Sequence, residues 1–173
     1  MGKTYYDTAD PTPNIDEAPA LFSRVLQSKH VDILSLNENE AIFYASLLDE
    51  DIKKRLGSIS LEELALESAE LLASHLQARI DLHTTRFSAT VTKNGVKASV
   101  SAFNVPVLRV TGAGDAWNAG NILGDAYGLS DEARLMLANA VAAYYISSPD
   151  ASHPGRAELI NFCERLCSRN QNR

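Results

Sequence analysis

Apolar and polar positions along the chain switch between two periods. Short runs rich in Val, Ile, Leu, Thr and Tyr occur at 4–6, 31–36, 80–84, 88–92, 96–100 and 107–110, and these predict strands. Between and after them, apolar residues recur every three or four positions at 17–28, 37–48, 61–77, 113–127, 131–147 and 156–168, which predicts helices. Helix starts are marked locally. Ser60 with Glu63 forms a capping-box pattern, and Ser130 suits the N-cap of the helix from 131. Lys93-Asn94-Gly95 between two alternating runs predicts a hairpin. Strands alternating with helices imply an α/β fold with a mostly parallel sheet, carrying an antiparallel hairpin and covered by helices in three layers. Ligands of such sheets sit beyond the carboxyl ends of strands, where Asn37 and Thr111 fall.

Length and composition narrow this picture. A chain of 173 residues can bury a full core, and residues 1–173 are expected to form one α/β domain. The net charge of −6 gives no electrostatic footprint for nucleic acid or an anionic membrane. No apolar run approaches the roughly 20 residues of a membrane span, and the opening MGKTYYDTADPTPN lacks a signal-peptide core, so a cytoplasmic protein is expected. Cys163 and Cys167 lie four apart on one expected helix, an arrangement suited to reduced thiols rather than a disulfide. The four histidines have no metal-ligand spacing.

The chemistry concentrates in VTGAGDAWNAG, residues 110–120. Gly112, Ala113 and Gly114 open a helix, where backbone N–H groups attract anions, yet Asp115 adds a negative charge there. Three readings compete. A plain strand-to-helix turn would use the glycines for backbone freedom and Asp115 to complement the helix dipole. A dinucleotide fingerprint fails because Trp117 falls where its last glycine should be, and a Walker loop fails because no Gly-Lys-Ser/Thr follows. The third reading divides labour: the N–H groups hold charge developing on a transferring phosphoryl group, and Asp115 takes the proton of an acceptor hydroxyl.

TGAGDAWNAG resembles the C-terminal signature of the ribokinase-like (PfkB) carbohydrate and nucleoside kinases, written D-T-x-G-A-G-D-x-F-x-A-G; Gly112, Ala113, Gly114, Asp115, Ala119 and Gly120 match it, and Trp117 replaces the usual Phe. The resemblance implies that Asp115 is the catalytic base and that Gly112, Ala113 and Gly114 form the anion hole. VDILSLNENEA resembles the family's strand followed by N-x-x-E, which implies that Asn37 and Glu40 organise Mg²⁺-bound water and phosphate. The same Asn-x-x-Glu spacing also makes a plain capping box. LANAVAAYYISSPDASHPGRAEL resembles the family's C-terminal run, placing Asn139, Ala142 and Ala143 beside the nucleotide base, although Ala-rich helices also simply pack.

The match covers only the C-terminal part of such a kinase; the N-terminal strands, the β lid and most acceptor-contacting residues have no counterpart. The resemblance therefore implies an ATP- and Mg²⁺-dependent transfer of the γ-phosphoryl group to a hydroxyl of a sugar, nucleoside or related small molecule, incomplete in this chain alone. The alternative is a non-catalytic nucleotide-binding or assembly module of the same fold. Exposed edges left by the missing part imply a homo-oligomer or association with an N-terminal part. Two departures stand out. Arg109 replaces the family's leading Asp, which in many members helps bind a monovalent cation. It is either an exposed arginine or a built-in charge at that place. LHTTRFSATV replaces the family's glycine turn near the nucleotide, leaving Thr84 and Thr85 as hydroxyl donors or as plain β-edge residues.

Overall fold

The Lys93-Asn94-Gly95 signal does produce a hairpin in the computed structural model, which describes residues 2–170, without side chains at 167, 169 and 170. The loop proper is Lys93 and Asn94; Thr92 pairs with Gly95, whose φ of +90° lies in the left-handed region. The chain separates into two compact units, divided between Ser101 and Ala102.

The first unit holds a five-stranded sheet in the order β1 (Tyr5–Asp7), β2 (Ile33–Leu36), β3 (Arg79–His83), β4 (Phe87–Thr92) and β5 (Gly95–Ser101). The first three strands are parallel and the hairpin extends them antiparallel. Between β1 and β2 runs helix α1 (Ala18–Leu21), continued by a wider π turn over Phe22–Leu26. Then follow α2 (Glu38–Ala45), α3 (Asp51–Lys54) and α4 (Leu61–His75). Helix α4 starts where the sequence places it: Ser60 Oγ accepts from the Glu63 N–H at 3.2 Å, and a Glu63 carboxylate oxygen accepts from the Ser60 N–H at 3.1 Å. Its buried positions Leu64, Ala65, Ala69 and Leu72 pack in one core with Leu34, Leu36, Ile80, Leu82, Ala89 and Val91, one face of the sheet. Fully burying each of the larger side chains contributes roughly 1.5–3 kcal/mol.

The opposite face is polar and still buried. Ser35, Asp81 and Thr90 are paired across neighbouring strands, and none is exposed. A buried carboxylate needs partners. Asp81 has them in Arg79, at 2.8 Å, and the Thr90 hydroxyl, which donates at 2.8 Å. His83 continues this face, and burial holds its imidazole down at a pKa of about 4, against the opposing pull of Asp81.

The second unit is helical: α5 (Ala113–Ala126), α6 (Asp131–Ser147) and α7 (Arg156–Asn170). The strand expected at 107–110 does not form. A strand needs a ladder beside it, and no strand is found among the described residues of this unit. Its backbone is tied to a helix instead, with the Leu108 N–H donating to Ile146 O at 2.8 Å.

Helices α5 and α6 meet closely because glycine lines the seam. A Cβ at Gly120 would lie 2.8 Å from the Ala138 Cα, and one at Gly124 2.9 Å from the Arg134 Cγ. Polar groups in the seam are paired. Trp117 Nε1 donates to Asn139 Oδ1 at 2.8 Å, while the fully buried Arg134 binds Asn121 and Asp131. The outward face of α5 inverts the usual pattern, with Ala119, Ile122, Leu123, Ala126 and Tyr127 exposed at helical spacing while Asn118 and Asn121 are buried. Cys163 is in no disulfide; the side chain of Cys167 lies outside the described residues. None of the helices among the described residues is long and apolar enough to cross a membrane.

Candidate functional site

Gly112 caps α5 in a left-handed conformation, φ +83° and ψ 1°. That turn throws the chain from the extended segment into the helix and leaves the first N–H groups without intrahelical acceptors. The three N–H groups expected to form an anion hole are not equivalent. The Ala113 N–H is donated to Val110 O at 3.1 Å, whereas those of Gly112 and Gly114 make no hydrogen bond among the described residues. Asp115 follows in the first helical turn with its side chain exposed. A helix N-terminus with uncommitted donors and an accessible carboxylate can hold an anion and accept a proton side by side.

Behind the loop stands an arrangement that sequence reading missed. Tyr145, near the end of α6, donates its hydroxyl to Thr111 O at 3.2 Å. Its ring stacks on His153, centroids 4.8 Å apart, and the Arg109 guanidinium lies 5.8 Å from the ring centroid. Arg109 Nη2 donates to Pro149 O at 2.8 Å, and its buried Nη1 has no hydrogen-bond partner among the described residues. Arg109 is thus half-buried and points back toward the loop that follows α6. Nothing in the spacing of Arg109, Tyr145 and His153 signals this; long-range packing brings them together.

The other expected residues fall as follows. Asn139 is buried, and its carbonyl oxygen is engaged by Trp117; Ala143 beside it is buried and Ala142 half-buried. In the first unit, the Thr84 hydroxyl donates to Phe87 O at 2.7 Å and accepts from the Phe87 N–H at 2.9 Å, closing the turn between β3 and β4. Asn37 and Glu40 make a complete capping box at the carboxyl end of β2. Asn37 Oδ1 accepts from the Glu40 N–H at 3.0 Å, and Glu40 Oε2 accepts from the Asn37 N–H at 2.9 Å.

Glu40 is more than a cap. Only 5% exposed, its carboxyl is pushed up to a pKa of about 7, chiefly by burial. The Asn37 N–H pulls the other way, and the carboxylates of Asp7 and Asp10 raise it further. The buried Thr8 hydroxyl makes no hydrogen bond of full geometry, yet faces Glu40 closely enough to favour its charged form. Asp7, Thr8 and Asp10 also line a cavity of about 690 Å³ with Tyr6, Arg24 and Tyr44, all within the first unit. No group of three or more His, Cys, Asp or Glu residues arranged to hold a metal occurs among the described residues. One buried carboxylate suits Mg²⁺ held through water, since that ion keeps several waters and needs few protein ligands.

Comparison with known proteins adds to this geometry. The model of the family described as prokaryotic ketohexokinase matches residues 31–165. The adenosine kinase from Sinorhizobium meliloti superposes with a TM-score of 0.70 at 22% identity, over 94% of this chain and 44% of that one. The ribokinase from Thermotoga maritima gives 0.64 at 23% identity, over 94% and 49%. An Escherichia coli protein described as a ribokinase II, solved with ATP and Mg²⁺, gives 0.66 at 20% identity, over 95% and 49%. The chain therefore spans about half the length of these solved kinases. With the family model covering most of its length, the chain belongs to the prokaryotic ketohexokinase family and carries the ribokinase-like fold of sugar and nucleoside kinases.

Proposed function

We propose that this chain supplies the phosphoryl-transfer part of a kinase that moves the γ-phosphoryl group of ATP to a hydroxyl of a small molecule. The acceptor class is sugars, nucleosides and related compounds, and the family's description favours a ketohexose. The observation that carries the reading is the start of α5: uncommitted Gly112 and Gly114 N–H groups beside the exposed Asp115 carboxylate.

Asp115 accepts the proton of the acceptor hydroxyl, and the glycine N–H groups hold charge on the transferring group. In this reading Asn37 and Glu40 hold Mg²⁺ through water, and the ion supplies neutralisation of phosphate charge when bound. Ala142 and Ala143 back the nucleotide base. Asn139 acts by keeping Trp117 in the α5–α6 seam, and Thr84 by shaping the β3–β4 turn. Arg109 stands in for a monovalent cation, its charge held at the Pro149 carbonyl. The outward face of α5 takes a complementary N-terminal part of the fold or a second copy, which brings the acceptor site.

Asp115→Asn tests the reading. It should abolish transfer, by about 100-fold or more, with ATP affinity measured by calorimetry nearly unchanged. A second reading, a nucleotide-binding or assembly module without chemistry, draws on the chain's half-length match. It wins if no sugar or nucleoside is phosphorylated by the wild-type chain, even with an N-terminal half supplied.

A further inference from the structure

We infer that Tyr145 is a positioning residue that aims the Gly112 N–H at the bound phosphate; the inference rests on the kinase reading of the glycine loop. The peptide unit linking Thr111 to Gly112 is planar and trans, so its C=O and N–H point in opposite directions. Tyr145 Oη donates to the Thr111 C=O at 3.2 Å. Fixing that oxygen fixes the direction of the Gly112 N–H on the other side of the same plane, and polarises it as a donor.

The same hydroxyl also enforces the turn. A Cβ built on Gly112 would lie 2.6 Å from Tyr145 Oη, so the tyrosine occupies the space that any other residue at 112 would need. Tyr145 is itself held. His153 stacks on its ring and Arg109 lies against it, and Arg109 is in turn fastened to Pro149 O. Leu108 is tied to Ile146, the residue after Tyr145. The end of α6 therefore grips positions 108, 109 and 111 in succession, and the tyrosine hydroxyl makes the contact nearest the donor N–H groups.

The test uses the full chain labelled with ¹⁵N and titrated with inorganic phosphate, reading the amide resonances of Gly112 and Gly114. In the wild type both should move on binding. In Tyr145→Phe phosphate affinity should fall about three- to tenfold, with the Gly112 response reduced more than that of Gly114. A purely structural tyrosine would not single out one amide. Equal affinity and an equal Gly112 response in Tyr145→Phe overturn the inference while leaving the anion cradle standing. Absence of any Gly112 response in the wild type overturns both.

Discussion

The hydroxyl of Tyr145 stands where a side chain on Gly112 would have to go, 2.6 Å from an ideal Cβ. Gly112 also has φ +83°, which L-residues adopt at a cost of roughly 1–2 kcal/mol. Gly112→Ala meets both obstacles, so it should lose about 2–4 kcal/mol of stability, measured by urea unfolding. Stability within about 0.5 kcal/mol of wild type would show that the loop can take another conformation.

The seam of α5 and α6 makes a separate prediction. At Gly120 the neighbour of an added Cβ is backbone, the Ala138 Cα at 2.8 Å, which cannot swing aside as a side-chain tip does. Gly120→Ala must push the helices apart and strain the Trp117–Asn139 hydrogen bond beside them. A loss of about 1–3 kcal/mol is expected. The indole should also become more exposed, seen as a red shift of the single tryptophan's fluorescence. An unshifted spectrum with wild-type stability would contradict the close approach.

What was legible in the sequence follows from how local each signal is. The capping boxes at Ser60 and Asn37 lie within four residues of chain, and both form. The hairpin was legible from its turn, but Val107, Leu108 and Val110 misled. They have strand-like side chains, yet a strand exists only with a partner, and each is exposed here. The glycine loop and Asp115 were legible because a turn and a helix start fit within one short motif. The Arg109–Tyr145–His153 cluster was not, since it spans 44 positions and depends on where α6 ends. The polar sheet face was equally hidden, because Asp81 sits between two apolar residues and nothing local announces Arg79 and Thr90 as its partners.

Arg109 leads to a prediction about salts. Its guanidinium already donates to a backbone carbonyl, a type of acceptor that an alkali cation would use, and Nη1 is buried beside it. If this charge replaces a monovalent cation, ATP affinity should change less than about twofold when K⁺ is exchanged for tetramethylammonium at constant ionic strength. Arg109→Gln should weaken ATP binding about 3- to 10-fold. A marked gain in wild-type affinity on adding K⁺ would refute the surrogate role.

The association proposed for the outward face of α5 can be tested directly. Ile122 and Leu123 are each 46% exposed and Tyr127 is 74% exposed, so burying this face against another polypeptide is favourable. The wild-type chain should sediment with a concentration-dependent weight at about tens of micromolar. Leu123→Glu should sediment as a monomer with little change in unfolding midpoint, since an exposed site is being altered. A wild type that stays monomeric under the same conditions would remove the support for this surface.

His83 sets an acid limit on the first unit. Its folded pKa is about 4 against an ordinary 6.5, so the unfolded chain binds the proton more readily between those values. Stability is unaffected by this group above pH 6.5 and falls as the pH drops toward 4, where the loss levels off. At about 1.4 kcal/mol per unit, the loss is about 3 kcal/mol. His83→Gln cannot take up a proton, so the difference in unfolding free energy between variant and wild type should shift in the variant's favour by that amount between pH 7 and pH 4. A difference that stays constant across this range would mean that the imidazole is solvated, and that burial of the polar sheet face does not hold it neutral.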